Sequence, residues 1–284
     1  MTDVGATSSA QTVWINGMLC DATTATVSAF DHGLTVGDGV FETLKIIDRR
    51  AFALRRHLDR LHRSADGLGL EVPLPDAALR AAVGETIAAS GLTAGRLRMT
   101  VTGGISPLGS DRGTDGASVI IAVSPQSPWP ASATVVTVPW RRNEHSAVAG
   151  IKTTSYADNV VALRRAREQG ADEAIFANTA GNLCEGTGTN IFIGLGGHLL
   201  TPPLSSGCLA GIVRELLVEA MSIEQTDVAL ERLSDVEEAF LTSSTREVQP
   251  ISMIDGRTLT GCPGPLTSNA RNAFDEIKAR SLDP

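Results

Sequence analysis

Lysine and tyrosine are scarce in this chain, yet one of each lies four residues from the other. The chain contains three lysines, Lys45, Lys152 and Lys278, and Tyr156 is the single tyrosine. A lysine amine can form a Schiff base with an aldehyde cofactor when burial or a neighbouring group lowers its pKa. The apolar residues 147–151 could bury Lys152 in this way. Local sequence supports a cofactor lysine and a solvent-exposed lysine equally, and Tyr156 is also consistent with a core aromatic residue.

Two further features could bind parts of a charged ligand. Glu185 lies in CEGTGTN, just before an apolar strand pattern. A glutamate that points inward there would need a polar partner, whereas a turn glutamate would lie in water, which local sequence favours. Residues 209–211 precede a predicted helix that reaches Met221. A helix N-terminus can bind an anion, although every helix has one.

Motifs for several other chemistries are missing from the sequence. It contains no G-x-S-x-G, no phosphate-binding P-loop and no HExxH zinc motif. The GLGG at 194–197 precedes a strand-like LLTPP, which predicts a hairpin turn rather than a dinucleotide-binding loop. Cys20, Cys184, Cys208 and Cys262 lie far apart without C-x-x-C spacing. We therefore expect neither a disulfide framework nor a metal site.

Composition and charge exclude several classes of protein. A content of 42% hydrophobic and 20% charged residues is typical of a globular chain. The net charge of −8 argues against a nucleic-acid-binding protein. No apolar run approaches the ~18 residues of a membrane span. The small, polar first ten residues predict a frayed tail and do not resemble a signal peptide. We expect a cytoplasmic protein that binds neither nucleic acid nor membrane.

Hydrophobic periodicity predicts strands and helices mixed along the whole chain, without a regular βαβ alternation. This pattern favours the α/β class with mixed sheets. Strands are predicted at 12–15, 26–29, 40–47, 51–54, 96–102, 118–123, 134–138, 173–177, 190–193, 199–201 and 240–242. Helices are predicted at 54–68, 76–90, 158–169, 211–221 and 269–280, and a short one after the S-x-x-E pattern of 234–237.

A proline-rich segment divides the chain. Residues 124–133 contain three prolines and predict a linker between a smaller N-terminal domain, 1–123, and a larger C-terminal domain, 134–284. The Gly/Ser/Asp-rich loop Gly103–Gly116 is long enough to be functional, for example as a lid.

Six stretches between about Trp14 and Pro250 have the order and spacing of one enzyme family. They are FDHGLTVGDGVFETLKI, RRHLDRLHRSA, AGIKTTSYADNVVA, ADEAIFANTAGNLCEGTGTNIF, LLTPPLSSGCLAGIVREL and AFLTSSTREVQPI. With these stretches the chain resembles the class IV aminotransferases, the pyridoxal-phosphate (PLP) enzymes of fold type IV. The resemblance implies two domains with PLP between them, a small-molecule amino substrate, and a homodimer in which a loop of the partner closes the site.

The resemblance also implies roles for individual residues. Lys152 would carry PLP as a Schiff base and move a proton between the substrate carbon and the cofactor. Glu185 would bond the pyridine nitrogen and keep it protonated, and Tyr156 would donate to the phenolic oxygen of the ring.

The phosphate of the cofactor would have its own set of donors. The resemblance assigns it to the side chain of Arg60 and to the backbone N–H groups of Ile212 and Val213. Related sequences often have threonine where Val213 stands, so a hydroxyl contact is lost while the backbone donor remains. Ser244 and Thr245 would contribute at the phosphate and substrate side.

A substrate carboxylate would need cationic partners. Arg98 is the best-placed candidate because Arg96, Arg98 and Thr100 share one face of a predicted strand. Arg112 and Arg246 are further candidates. A surface arginine is an equally good interpretation of each.

The reaction stays open between subgroups of the family. D-amino-acid aminotransferases carry an Arg-x-His pair where this chain has Leu-Gly-Ser at 108–110, and branched-chain aminotransferases have FEG where it has FET at 41–43. GDGVFET, RRNEHSAVAGIK and STREVQPI resemble the lyase-like subgroup.

Our first expectation is therefore a 4-amino-4-deoxychorismate lyase, which eliminates pyruvate to leave 4-aminobenzoate. The second is an aminotransferase that moves an amino group between a D-amino acid, a branched-chain amino acid or an (R)-amine and a 2-oxo acid. A non-catalytic binding protein that kept the fold is the outside alternative. The joint presence of Lys152, Glu185 and Arg60 argues against it.

Overall fold

The computed structural model describes residues 12–284, so the predicted frayed tail lies outside the described residues. The chain forms two compact units. The first contains the described residues up to Ser127 together with Lys152–Ser155 and Asp283. The second contains Pro128–Ile151, Tyr156–Leu282 and Pro284. Lys152 thus belongs to the first unit, while the domain limits proposed from the sequence stay a prediction.

The first unit is built on an antiparallel sheet, which has six strands within the described residues. Along the sheet they follow the order β2-β1-β6-β5-β3-β4. The strands are β1 (Thr12–Ile15), β2 (Met18–Asp21), β3 (Gly39–Ile47), β4 (Arg50–Ala51), β5 (Gly95–Thr102) and β6 (Ser118–Ser124). The helices of this unit are α1 (His32–Thr35), α2 (Leu54–Leu68) and α3 (Asp76–Ser90).

Simple residue patterns explain the central elements of this unit. In β5, Leu97, Met99 and Val101 are buried while Arg98 between them is exposed, as expected for a strand with one face on the core. In α2 the buried residues recur every three or four positions, and this stripe packs against β3. The helix ends at Gly69, which has the left-handed φ of 62° that a C-cap needs.

The second unit is built on a mixed sheet, with nine strands among residues 128–284. The main order is β12-β11-β10-β13-β14-β7-β8-β9, with β15 paired to β14. The strands are β7 (Ala133–Arg142), β8 (Glu173–Asn178), β9 (Leu183–Gly186), β10 (Asn190–Leu195), β11 (His198–Thr201), β12 (Glu224–Gln225), β13 (Glu238–Ser243), β14 (Glu247–Ile254) and β15 (Arg257–Thr258). The helices are α4 (Ala157–Glu168), α5 (Ile212–Ala220) and α6 (Pro265–Arg280).

The sheet of the second unit carries a large apolar core. Strands β8, β10 and β13 are almost entirely buried, which explains why their sequences are apolar runs rather than alternating patterns. Phe192 and Phe240 lie opposite each other on β10 and β13 and stack with their ring centroids 4.7 Å apart. The buried Glu238 carboxylate accepts the backbone N–H groups of Leu266 and Thr267 and so caps α6.

Most of the predicted elements are confirmed, and the helices at 54–68 and 76–90 have the predicted limits. Two predictions are wrong. Residues 26–29 form no strand, because the Ser28 hydroxyl and carbonyl accept the N–H groups of Phe30 and Asp31 in a turn. No helix follows Glu237, because β13 begins at Glu238 and pairs with β10, whereas Ser234 itself lies in a 3₁₀ helix, Leu230–Asp235. Of the strand predicted at 51–54, Ala51 lies in β4, residues 52 and 53 form a turn, and α2 begins at Leu54.

The described residues contain neither a membrane-spanning helix nor a metal-binding cluster. Between residues 12 and 284, no helix combines the length and apolar character that crossing a bilayer would require. The same residues hold no cluster of three or more His, Cys, Asp or Glu side chains arranged to bind a metal ion.

Candidate functional site

The backbone of Lys152 is fixed by two elements of the first unit. The N–H of Phe41 on β3 donates to the carbonyl of Lys152 at 3.0 Å. The N–H of Lys152 donates to the hydroxyl of Ser64 on α2 at 3.2 Å. Thr153 forms a bridge with Val40, also on β3. The segment that carries the lysine is therefore attached to both the sheet and its covering helix.

The aromatic ring of Phe41 lies beside two cationic groups. The Nζ atom of Lys152 is 4.3 Å from the ring centroid, and the guanidinium carbon of Arg98 is 3.6 Å from it. Both distances allow cation–π attraction. Arg98 also donates from Nε to the hydroxyl of Thr100 at 3.3 Å, so these residues share one strand face as predicted. The Phe41 ring thus contacts both the candidate cofactor amine and the candidate carboxylate-binding group.

The residues before Lys152 do not provide the expected burial. Within 147–150 most residues are exposed, and Val148 keeps 39% of its surface accessible. They form successive turns, such as the one closed by the N–H of Ala149 on the carbonyl of Ser146. An apolar neighbour of the Lys152 amine is Phe41, which comes from more than a hundred residues earlier in the chain.

Arg60 belongs to a buried cluster of charged and polar side chains. Its Nε donates to Oε1 of Glu42 at 2.8 Å and its Nη2 donates to Oε2 at 2.6 Å. His57 Nδ1 lies 2.6 Å from the same Oε2. Burial raises the pKa of Glu42, but Arg60 and His57 outweigh this effect and lower it to about 2. Burial lowers the pKa of His57, so the imidazole is neutral and donates to the carboxylate.

Sequence reasoning identified Arg60 but missed Glu42 and His57. A signal for both was present. Glu42 follows Phe41 in the GDGVFET stretch, and His57 precedes Arg60 by three residues, which places both on one face of α2. The local sequence did not show that the Glu42 carboxylate on β3 accepts hydrogen bonds from both His57 and Arg60 on α2.

Glu185 lies at the end of β9 in the second unit, and its partners include a backbone amide and an arginine. The N–H of Leu209 donates to its Oε2 at 3.0 Å, and Nε of Arg142 is 3.3 Å from its Oε1. Arg142 in turn lies over the ring of Phe176, 4.3 Å from the centroid. The interpretation of Glu185 as a turn residue in water is therefore wrong. Sequence reasoning missed Arg142, which stands ten residues before Lys152 in the RRNEHSAVAGIK stretch.

The N-terminus of α5 is attached to the Glu185 segment. Leu209 accepts a bond from Nδ2 of Asn190 through its carbonyl at 2.8 Å, in addition to the bond that its N–H makes to Glu185. A Cβ atom at Gly211 would collide with Oδ1 of Asn190, so this close approach requires glycine. The helix then begins with Ile212 and Val213, whose N–H groups lie in the first turn and have no intrahelical acceptor.

Tyr156 and the Glu185 turn are linked through buried side chains. Tyr156 immediately precedes α4, and Asn159 in the first turn of that helix donates to the carbonyl of Thr187. The carboxylate of Glu173 accepts both the N–H and the hydroxyl of Thr187. These bonds hold the start of α4 against the turn that follows Glu185.

The same buried carboxylate reaches the turn that contains Ser244 and Thr245. Nη2 of Arg246, the next residue, donates to Oε2 of Glu173 at 3.3 Å. Within the second unit, one network of bonds thus joins the segments of Tyr156, Glu185 and Ser244–Thr245.

The other two candidate substrate arginines have protein partners. Arg246 also donates to Gln249 at 2.6 Å and lies 3.9 Å from the ring centroid of Trp129. Arg112 donates to both carboxylate oxygens of Asp38, at 2.7 and 2.6 Å, and to the carbonyl groups that end α2. Their roles toward a substrate stay predictions, and of the three arginines Arg98 lies beside the ring that Lys152 contacts.

The Gly103–Gly116 loop is tied to α1 through His32. The imidazole has Nδ1 3.0 Å from Oδ2 of Asp38 and Nε2 2.9 Å from the carbonyl oxygen of Gly109. The bond to Asp38 raises the pKa of His32, while the Arg112 bond lowers the pKa of Asp38. Because both neighbours of the ring are acceptors, the arrangement requires the doubly protonated imidazolium.

Comparison with known proteins identifies related enzymes over most of the chain. Residues 39–254 match the family model described as amino-transferase class IV. The solved branched-chain aminotransferase of Thermoproteus uzoniensis, with norvaline, is 34% identical, covers 94% of each chain and has a TM-score of 0.85. D-alanine aminotransferase of Bacillus licheniformis is 29% identical, over 92% of this chain and 95% of the relative. Aminodeoxychorismate lyase of Bacillus subtilis is 28% identical, over 90% and 91%. The predicted α/β fold class is confirmed.

Proposed function

Because the chain belongs to the amino-transferase class IV family, whose members are PLP-dependent enzymes, we propose that it exchanges an amino group between an aliphatic amino acid and a 2-oxo acid. The observation that carries the substrate class is the shared ring of Phe41. The amine of Lys152 lies 4.3 Å from the ring centroid, and the guanidinium carbon of Arg98 lies 3.6 Å from it. A substrate with its carboxylate next to its amino group suits such a pair of cations.

The residue types of the site fit the groups of PLP. We propose that Lys152 bonds the aldehyde and that Glu185 bonds the pyridine nitrogen. Tyr156 would donate to the phenolic oxygen, while Arg60 and the first amides of α5 would bind the phosphate. The close approach of Gly211 to Asn190 at the start of α5 and the bond from the Leu209 N–H to Glu185 support this assignment.

When bound, PLP supplies an electrophilic carbon and a ring that accepts electrons from the substrate. The chain supplies the proton transfer and the orientation. The Lys152 amine would take the proton from the substrate α-carbon and pass it to the carbon that held the aldehyde, and the second half of the reaction would run this transfer in reverse. Arg98 would hold the substrate carboxylate so that this proton faces the amine.

Transamination is the reaction that the comparisons support most directly. The solved branched-chain aminotransferase matches nearly the whole chain at 34% identity. A second candidate, 4-amino-4-deoxychorismate lyase, is supported by the stretches GDGVFET, RRNEHSAVAGIK and STREVQPI and by the Bacillus subtilis relative. Both reactions begin with the same proton removal, and they differ in whether the substrate carries a leaving group.

A paired assay separates the two reactions. One arm supplies L- or D-alanine, branched-chain amino acids or (R)-amines with 2-oxoglutarate and measures the glutamate formed. The other supplies aminodeoxychorismate and measures 4-aminobenzoate. We expect turnover in the first arm. Turnover in the second arm alone would replace our proposal with the lyase.

The assignment of Lys152 is tested through the cofactor itself. The purified protein is expected to be yellow, and borohydride should remove the colour and attach the cofactor to the peptide that contains residue 152. Lys152→Ala should remove this covalent attachment. Lys278→Ala is the matched control, because that amine is bonded to Glu247 and Asp275 at 2.8 and 2.9 Å. A covalent adduct at Lys45 or Lys278 would contradict the assignment.

We also propose that the enzyme is a homodimer, as the family resemblance implies. Sedimentation analysis is expected to give twice the mass of one chain. A single-chain mass for the active enzyme would contradict this proposal.

A further inference from the structure

We propose that Glu42 is a positioning residue that orients Arg60 toward the cofactor phosphate, with His57 as its second support. The inference rests on the proposed function, because it assumes that Arg60 binds the phosphate of PLP. The roles that the family resemblance implies include neither Glu42 nor His57.

The first support is the geometry of the pair. Two bonds, Nε to Oε1 at 2.8 Å and Nη2 to Oε2 at 2.6 Å, join the planar guanidinium to the planar carboxylate. A single bond would let the Arg60 guanidinium turn about its axis, whereas two parallel bonds fix its plane. The remaining edge of the guanidinium then has a set direction before any cofactor arrives.

The second support is burial. Glu42 is 1% exposed and Arg60 is 4% exposed, and the Arg60 charge lies inside the unit. A buried guanidinium without a counter-charge is strongly unfavourable, so without Glu42 the side chain would leave this position. The pair therefore organises the arginine in advance, which reduces the ordering cost at the moment of binding.

The third support is the direction of the His57 bond. The neutral imidazole donates through Nδ1 to Oε2 of Glu42, the oxygen that also accepts Arg60 Nη2. The carboxylate thus accepts three N–H groups and has little freedom to rotate. A glutamine at position 42 could accept at one atom only, and its NH₂ group would face a donor from Arg60 or His57.

Two effects of Glu42→Gln oppose each other. Loss of the negative charge favours a phosphate nearby, whereas loss of the two-bond support displaces the donors of Arg60. We expect the second effect to prevail, because the glutamine NH₂ group would force the buried guanidinium out of its plane.

The test compares two cofactors on the full-length protein. Dissociation constants are measured for PLP and for pyridoxal, which lacks the phosphate, by absorbance and fluorescence titration. Glu42→Gln is expected to raise the dissociation constant of PLP about tenfold, equivalent to ~1.4 kcal/mol, and to change that of pyridoxal by less than about twofold. In an Arg60→Lys background the same substitution should have little further effect on PLP.

Glu238→Gln is the matched control, because Glu238 is a buried carboxylate that caps α6. This control should change the dissociation constants of PLP and of pyridoxal by the same factor. Circular dichroism of each variant checks folding. If Glu42→Gln does not fold, Glu42→Asp keeps the charge and should weaken PLP selectively by a smaller factor. Equal effects on PLP and pyridoxal, or tighter PLP binding, would overturn the positioning role alone. A wild-type protein that binds neither cofactor would overturn the proposed function as well.

Discussion

Replacement of Glu185 by glutamine should separate catalysis from stability. The substitution keeps the shape of the side chain and removes its charge. The amide oxygen can still accept the N–H of Leu209, now 3.0 Å from Oε2. The attraction to Arg142, whose Nε is 3.3 Å from Oε1, is lost.

The structure sets different magnitudes for the two effects. The side chains of Arg142 and Glu185 are 21% and 13% exposed, so water screens their attraction in part. We expect a loss of about 1 kcal/mol in the free energy of unfolding, or a fall in Tm of about 2–4 °C. A charged hydrogen bond to the pyridine nitrogen is worth about 1.5–3 kcal/mol, which corresponds to roughly a tenfold to hundredfold loss of kcat.

The assay measures kcat for the best substrate of the paired assay and Tm by calorimetry on the same preparations. Glu168→Gln is the control, because Glu168 is 53% exposed and pairs with arginines on the surface of α4. It should change neither quantity. A wild-type kcat for Glu185→Gln, or a fall in Tm of far more than a few degrees, would contradict the proposed role of Glu185 at the pyridine nitrogen.

Three further predictions concern the loop and the core. The 103–116 loop should resist proteases best below pH 6.5 and lose protection as pH rises through the raised pKa of His32, and His32→Gln should flatten this profile. A flat wild-type profile would contradict the doubly protonated imidazole. Glu238→Ala should lower the free energy of unfolding by about 2 kcal/mol in urea denaturation, because two amides at the start of α6 lose their acceptor. Phe192→Ala should lower it by about 3–5 kcal/mol, and a loss below 1 kcal/mol would show that the stacked pair is not part of the core.

Patterns that depend on neighbouring residues could be predicted from the sequence. The alternation of β5 and the limits of α2 and α3 follow from side-chain periodicity, which is local. The S-x-x-E pattern at 234–237 failed because strand pairing between β13 and β10 prevailed over a local capping signal. The strand predicted at 26–29 is wrong for a local reason. The composition suggested a strand, but the Ser28 hydroxyl accepts the N–H of Phe30 and closes a turn.

The sequence by itself determined the family, the fold class and the candidate Lys152, because these depend on the order of residues along the chain. Only the tertiary structure decided the partners of the site. Glu42 and Arg60 are eighteen residues apart, and Glu185 and Leu209 are twenty-four apart. A hydrogen bond needs its two heavy atoms within about 3 Å, whatever their separation along the chain. Such pairs therefore form only when strands and helices have packed together. The chemistry of each residue was therefore visible in the sequence, whereas its orientation was set by the fold.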